Sequence, residues 1–228
     1  MNIAIIPARK SSKRIKNKNI KIFLNKPIIE YPIECALKSK LFDLVVVSTD
    51  CKKIKKIAEK AGAKVPFLRH KNLSGDHVST RPVIIDAIDK IEKIYNKVEN
   101  VCCIYPTSVF ITSKDLKNAY TMLKKNNDNY IFSATRYKHP LERSFFIKKN
   151  IVIPFLKKSL KTRTQDFQDI YHDVGQFYLA SARSLRSGIN IFSKKAQPII
   201  FSKSKVTDID TKEDWKEAEL KFSILKKK

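Results

Sequence analysis

The chain has 228 residues, 43% hydrophobic and 10% aromatic. That is enough for one large α/β domain with a sizeable core, and its 4 Gly and 9 Pro exclude a disordered or collagen-like chain. The net charge of +25 draws polyanions, but it is mostly Lys spread along the whole length and reads as solvated helix faces. A nucleic-acid surface would cluster Arg and aromatic residues on one element.

In chain order, "NIAIIPA" is a continuous apolar run, as a strand buried on both faces requires. "PIIEYPIECALKSK" carries helical spacing through Ile28, Ile29, Ile33, Ala36 and Leu37. "LVVVSTD" is a second buried strand. "CKKIKKIAEKAGA" is an amphipathic helix with Gly62 as its stop, and "RPVIIDAIDKIEKIY" is another helix. "VENVCCIYPT" is a third strand. Thr112 to Asp115 has capping-box character ahead of "LKNAYTMLKK", and "NYIFSATRY" is a strand again. This βαβα rhythm predicts an α/β fold with a largely parallel sheet and right-handed crossovers. It breaks near Lys138, where "FFIKKNIVIPF" reads as two short strands turning at Lys149-Asn150. "GQFYLAS" and "QPIIFSK" resume strand character, and Thr211 to Asp214 opens a last helix. We expect one domain, 1–228, with an inserted element at 138–172.

The cysteines Cys35, Cys51, Cys102 and Cys103 lack metal-ligand spacing and read as reduced thiols filling space, which points to a cytoplasmic protein. No apolar stretch approaches the ~18 residues of a membrane span, and no signal peptide precedes the first strand.

Ligands of open parallel sheets bind beyond the carboxyl ends of the strands. After the first strand comes "ARKSSKR", after the third "YPTS", and near the end "VTDIDTKEDW" holds Asp208 and Asp210. If that stretch is extended, both carboxylates project to one side. Arg9, Lys13 and Lys18 lie where a polyphosphate could be gripped, and the carboxylates suit a hard divalent ion. Helix capping by the two Asp is the competing reading. The Gly-rich Walker A and dinucleotide-binding loops are both absent.

"IPARKSSKRIKNKNI" resembles the signature IPARGGSKRIPRKNI of the acylneuraminate cytidylyltransferase family, the enzymes that activate nonulosonic acids with CTP. "FDLVVVSTD", "FLRHKNLSGDHVST" and "IDTKEDW" follow in the family's order, so the resemblance spans nearly the whole chain. "TRTQDFQDIYHDVGQFYL" is closest to the branch acting on pseudaminic acid. The resemblance implies a Rossmann-like three-layer fold of the nucleotide-diphospho-sugar transferase type, and the element at 138–172 implies a homodimer with composite sugar sites. By matching position, Ala8, Arg9, Ser12, Lys13, Lys18, Asn19, Arg69 and Thr80 fall on the nucleotide. Tyr105, Thr107, Ser108, Arg163, Gln165, Gly175, Gln176 and Tyr178 fall on the sugar side, and Asp208 and Asp210 on Mg²⁺. Arg9, Lys13 and Asp210 carry the catalysis in this reading. The implied partners are CTP and a nonulosonic acid, with neither nucleic acid nor membrane. Lys10-Ser11 replace the signature's Gly-Gly. Tyr105 stands where sialic acid enzymes often have Gln, and Glu142 where they often have Lys. Both changes favour a nine-carbon acid other than sialic acid. His172 is read either as a sugar contact or as a loop histidine. Lys10, Arg14 and Lys16 are read as surface charge, or as contacts that merely raise the local anion concentration.

Overall fold

A computed structural model of the chain describes residues 1–126, 128–156 and 163–226. The apolar run at the N-terminus is β1 (Asn2–Pro7), with Ile3 to Ile6 fully buried. It lies between β4 (Leu44–Ser48) and β5 (Asn100–Ile104), parallel to both. A small hairpin, β2 (Ile22–Phe23) with β3 (Lys26–Pro27), precedes α1 (Glu30–Ser39). α2 (Lys52–Lys60) follows β4, α3 (Thr80–Ile94) leads to β5, and α4 (Ser113–Lys125) leads to β6 (Tyr130–Arg136). Beyond these come β7 (Phe145–Lys148), β8 (Ile151–Pro154), β9 (Tyr171–Ser181), α5 (Ala182–Ser187), β10 (Ala196–Ile200) and α6 (Lys212–Lys226). Among the described residues the main sheet runs β10-β6-β9-β5-β1-β4. No described helix is long and apolar enough to cross a membrane.

The sheet is covered on both faces, which is why its strands are apolar on both sides. Ala4, Ile6, Val45 and Cys102 pack on α1, α2 and α4, whereas Ile3, Ile5, Val46 and Cys103 pack on α3 and α5. The adjacent Cys102 and Cys103 therefore point to opposite faces, and neither is in a disulfide. The expected mostly parallel, three-layer arrangement is present. β9 runs antiparallel between β5 and β6, an orientation that its apolar pattern does not announce.

A third core lies beyond the carboxyl end of β1. It joins Ile15 of the first loop, Phe23, Val109 and Phe110 after β5, Ile209, and Trp215 and Ala218 of α6. Ile209 is 1% exposed, and burying such a side chain contributes roughly 1.5–3 kcal/mol. This contact brings the 208–210 stretch against a loop almost 200 residues earlier. Trp215 is core, as its place on an amphipathic helix suggests. The cap of α6 is Thr211 with Asp214. The Asp214 N–H donates to the Thr211 hydroxyl at 3.2 Å, and the Thr211 N–H to the Asp214 carboxylate at 2.6 Å. The capping role is thus filled, and Asp208 and Asp210 are left to other work.

β7 and β8 form the expected hairpin, with Lys149 and Asn150 both at positive φ as a tight two-residue turn demands. Residues 157–162 of the expected inserted element lie outside the described residues, as does the end of the C-terminal Lys run.

Candidate functional site: two clefts that share a tyrosine wall

The loop after β1 holds its shape without glycine. Ala8 is fully buried, so its side chain lines no cleft, and its N–H donates to the Ser48 carbonyl at 2.9 Å. The Lys10 N–H donates to the Asp50 carboxylate at 2.8 Å. The buried Asn19 amide donates to the Arg9 carbonyl at 3.0 Å. Lys10 and Ser11 are not among the residues at positive φ. The loop needs no left-handed backbone where the family signature has Gly-Gly, so side chains are tolerated there.

This loop, the segment 69–80 and the turn after β5 enclose a cleft of about 640 Å³. Arg9, Lys13, Lys18 and Arg69 line it, together with Ser12, Asn19 and Thr80. Most of its cations already hold internal anions. Arg9 pairs with Asp76 at 2.9 Å and donates to the Gly75 carbonyl at 2.9 Å, and Lys13 pairs with the other Asp76 oxygen at 2.6 Å. Through its contact with Lys13, Asp76 holds its carboxyl below the usual carboxylate range. Lys18 donates to the Ile209 carbonyl at 2.8 Å and the Asp210 carboxylate at 3.1 Å, so in the free protein it braces Asp210. Arg14, expected on the surface, pairs with the second Asp210 oxygen at 2.7 Å.

Arg69 differs from these. It is 6% exposed, and its Nε and Nη2 have no hydrogen-bond partner. Burial lowers its pKa, partly offset by the negative charge of Asp50. A buried guanidinium with unused donors on the wall of a cleft is a candidate binding group.

A second cleft, of about 540 Å³, lies beside the first, and Tyr105 and Thr107 line both. Its walls include Ser108, Gly175, Gln176, His172, Asp173 and Asp208. The Tyr105 hydroxyl is 2.8 Å from the Thr80 hydroxyl, and burial pushes its pKa up to about 12. Its ring meets that of Tyr178 edge to face at 5.7 Å. Tyr178 donates to Asp173 at 2.5 Å. Burial first, and then that hydrogen bond, push the Tyr178 hydroxyl pKa far up. Gln176 is buried, donates to the Lys205 carbonyl at 2.7 Å, and leaves its Oε1 without a partner. His172 lines the cleft, with Nδ1 3.0 Å from the Asp173 carbonyl and its ring tilted at 44° against that of Tyr137, 4.4 Å away.

Asp208 and Asp210 flank the buried Ile209 but serve different clefts. Asp210 lines the first and Asp208 the second. This differs from the expectation that both face one way, and it sets them on the border between the clefts. Asp208 is exposed as a residue. Even so, the cleft walls around its carboxyl, and then the charge of Asp210, push its pKa above the usual value. Among the described residues no three His, Cys, Asp or Glu side chains gather as a metal cage. Two carboxylates suit Mg²⁺, which typically takes one or two and completes its shell with water and substrate phosphates. Arg163 and Gln165 are exposed and line neither cleft. Tyr178, expected on the sugar, also lines neither: it is half-buried and held by Tyr105 and Asp173, which do line the second cleft. Reading the sequence alone missed Asp76, Asp173 and the role of Arg14. The one local hint was an Asp two residues before Gly inside an apolar strand, which disfavours regular pairing.

A family model described as cytidylyltransferase matches residues 3–227. The chain belongs to the cytidylyltransferase family. It is a nucleotidyltransferase. A pseudaminic acid cytidylyltransferase of Campylobacter jejuni is 39% identical over 224 residues, covering 98% of this chain and 97% of that one. A CMP-N,N'-diacetyllegionaminic acid synthase of Legionella pneumophila is 31% identical, covering 93% and 92%. The solved structure of a CMP:2-keto-3-deoxy-manno-octonic acid synthetase complexed with CTP aligns with a TM-score of 0.71 at 14% identity, covering 98% of this chain and 99% of that one. At that identity it shows the shared fold.

Proposed function

We propose that the enzyme transfers CMP from CTP to pseudaminic acid, giving CMP-pseudaminic acid and pyrophosphate, with Mg²⁺ and as a cytoplasmic homodimer. The observation that carries the choice of sugar is the end-to-end likeness to the Campylobacter enzyme. The pair of adjoining clefts supports the reaction class.

In this reading CTP fills the first cleft, with its base side toward Arg69 and Thr80 and its phosphates toward Arg9, Ser12 and Lys13. The acid fills the second cleft, against Tyr105, Thr107, Ser108 and Gln176. The anomeric oxygen attacks the α-phosphorus, and the bond to the β-phosphate breaks. Such a transfer needs positioning and charge neutralisation more than covalent chemistry. Arg9 and Lys13 take up the charge that builds on the departing pyrophosphate. Asp208 lines the second cleft, and in this reading it receives the hydroxyl proton. Arg14 and Lys18 hold Asp210 in place. Mg²⁺ at Asp208 and Asp210 would neutralise phosphate charge and ease deprotonation of the hydroxyl.

The homodimer reading is supported by the apolar hairpin, where Ile147 is 70% and Ile151 64% exposed. A lone two-stranded ribbon with such a surface is marginal in water and calls for a cover. Arg163 and Gln165, outside both clefts of their own chain, fit use at the partner copy's sugar site. Arg163 would there bind the sugar carboxylate bidentately.

The test is incubation with CTP, Mg²⁺ and, separately, pseudaminic, legionaminic and N-acetylneuraminic acid, with mass detection of the CMP-sugar. We expect product chiefly from pseudaminic acid and none in excess EDTA. Preference for another acid refutes the substrate, and turnover in EDTA refutes the metal.

A further inference from the structure

We propose that Asp173 is a positioning residue of the sugar-side cleft, acting through Tyr178 and Gly175 without itself touching the reacting atoms. The argument rests on the assignment of that cleft to the acid substrate.

β9 is not a regular strand where it meets the cleft. Tyr178 pairs with Phe132 of β6, and the next pairs are Asp173 with Ala134 and His172 with Thr135. Two residues of β6 are thus spanned by five of β9. The extra length is thrown out as a bulge, the usual way a sheet re-aims side chains beside a site. Val174, Gly175 and Gln176 of that bulge all line the cleft.

Asp173 ties the bulge shut at its base. One carboxylate oxygen accepts the Gly175 N–H at 2.9 Å, and the other accepts the Tyr178 hydroxyl at 2.5 Å. Both oxygens are engaged inside the protein, which makes the carboxylate a strut between the bulge and Tyr178. Gly175 sits at φ +58, and a Cβ there would lie 3.4 Å from the Tyr105 ring. Tyr178 in turn packs edge to face on Tyr105, whose hydroxyl meets Thr80 at the nucleotide cleft. Behind the bulge, Ser133 accepts the Gln176 N–H at 2.9 Å and Ser108 donates to the Gln176 carbonyl at 2.7 Å. These contacts hold the backbone of Gln176, whose free Oε1 is the buried acceptor of the cleft. Asp173 thereby sets the tilt of the tyrosine wall and the depth of the Gln176 acceptor together.

The strut separates two predictions. Asp173→Asn keeps size and an acceptor for the Gly175 N–H, but it replaces the short bond from the Tyr178 hydroxyl to a carboxylate with, at most, a neutral bond from the NH₂ to the phenol oxygen. Tyr178→Phe removes the same hydrogen bond from the other side and keeps the ring. A misplacement of about 1 Å costs on the order of 10²-fold in a positioned reaction. We therefore expect each variant to lower kcat/KM for the acid by roughly ten- to a hundredfold, and the double variant to be no worse than the worse single one. CTP affinity by calorimetry should stay close to wild type, and the melting temperature should fall by no more than a few degrees. Unchanged kcat/KM for the acid in Asp173→Asn overturns the proposal. So does a full effect in Asp173→Asn with none in Tyr178→Phe, which would make Asp173 a direct sugar ligand. An equal loss of CTP affinity overturns it too, since that is general damage. Wild-type enzyme that turns over no nonulosonic acid instead defeats the substrate assignment, and this proposal falls with it.

Discussion

Arg69→Met is the perturbation whose effects on stability and on binding should have opposite signs. The wild-type side chain is 6% exposed, with two nitrogens unpartnered. A buried donor without a partner costs about 1–3 kcal/mol in the free enzyme. Methionine keeps most of the apolar stem and removes the unsatisfied donors, while the backbone N–H still donates to the Thr49 carbonyl at 2.8 Å. Stability should therefore hold or rise by about 1 kcal/mol, a gain of roughly 2–4 °C in Tm for a chain of this size. Binding should suffer. A hydrogen bond from a charged donor contributes about 1.5–3 kcal/mol, and about 1.4 kcal/mol is tenfold. Losing one such contact to CTP weakens affinity roughly 10- to 150-fold. Calorimetric titration with CTP and a thermal scan read both quantities on the same sample. If the variant binds CTP as tightly as wild type, or melts several degrees lower, the guanidinium is structural and the reasoning fails.

Asp76 occupies both Arg9 and Lys13 in the free protein, so a triphosphate must displace it. Asp76→Asn should bind CTP several-fold more tightly at neutral pH. Because Lys13 holds the Asp76 carboxyl below its usual range, the clasp is intact above that range and is lost as pH falls through the depressed value. The advantage of the variant should then shrink in acid, and titrations at two pH values check both points. Ile147→Asp in the exposed β7 should give a monomer by sedimentation while leaving CTP binding by calorimetry unchanged. A variant that stays dimeric would remove the hairpin from the interface.

Much of the scaffold is legible in local pattern. β1, β4 and β5 are continuous apolar runs, α2 and α3 carry their period plainly, and the Thr112–Asp115 and Thr211–Asp214 caps are four-residue signatures. The tight turn at Lys149-Asn150 is local too. β9 is different. Its apolar residues suit a parallel or an antiparallel neighbour equally, and only the pairing with β5 and β6 decides the direction. Its bulge is invisible for the same reason, since it exists only relative to β6.

The site divides along the same line. The order of motifs in the sequence was sufficient to identify the family and to nominate Arg9, Lys13, Arg69, Asp208 and Asp210, because those are residue types at positions along a chain. Which of these charges are free is a property of distance in space. Asp76 reaches Arg9 across 67 residues and Arg14 reaches Asp210 across 196, and no periodicity encodes such contacts. Arg69 stands apart because two of its guanidinium nitrogens are buried with no acceptor in reach. The sequence by itself determined the layers, the caps and the kind of chemistry, since hydrophobic period and residue type are local quantities. The tertiary structure alone decided which cations are already neutralised, which carboxylate faces which cleft, and that one tyrosine wall serves both, since burial and Coulomb energy depend on what the fold brings within a few ångströms.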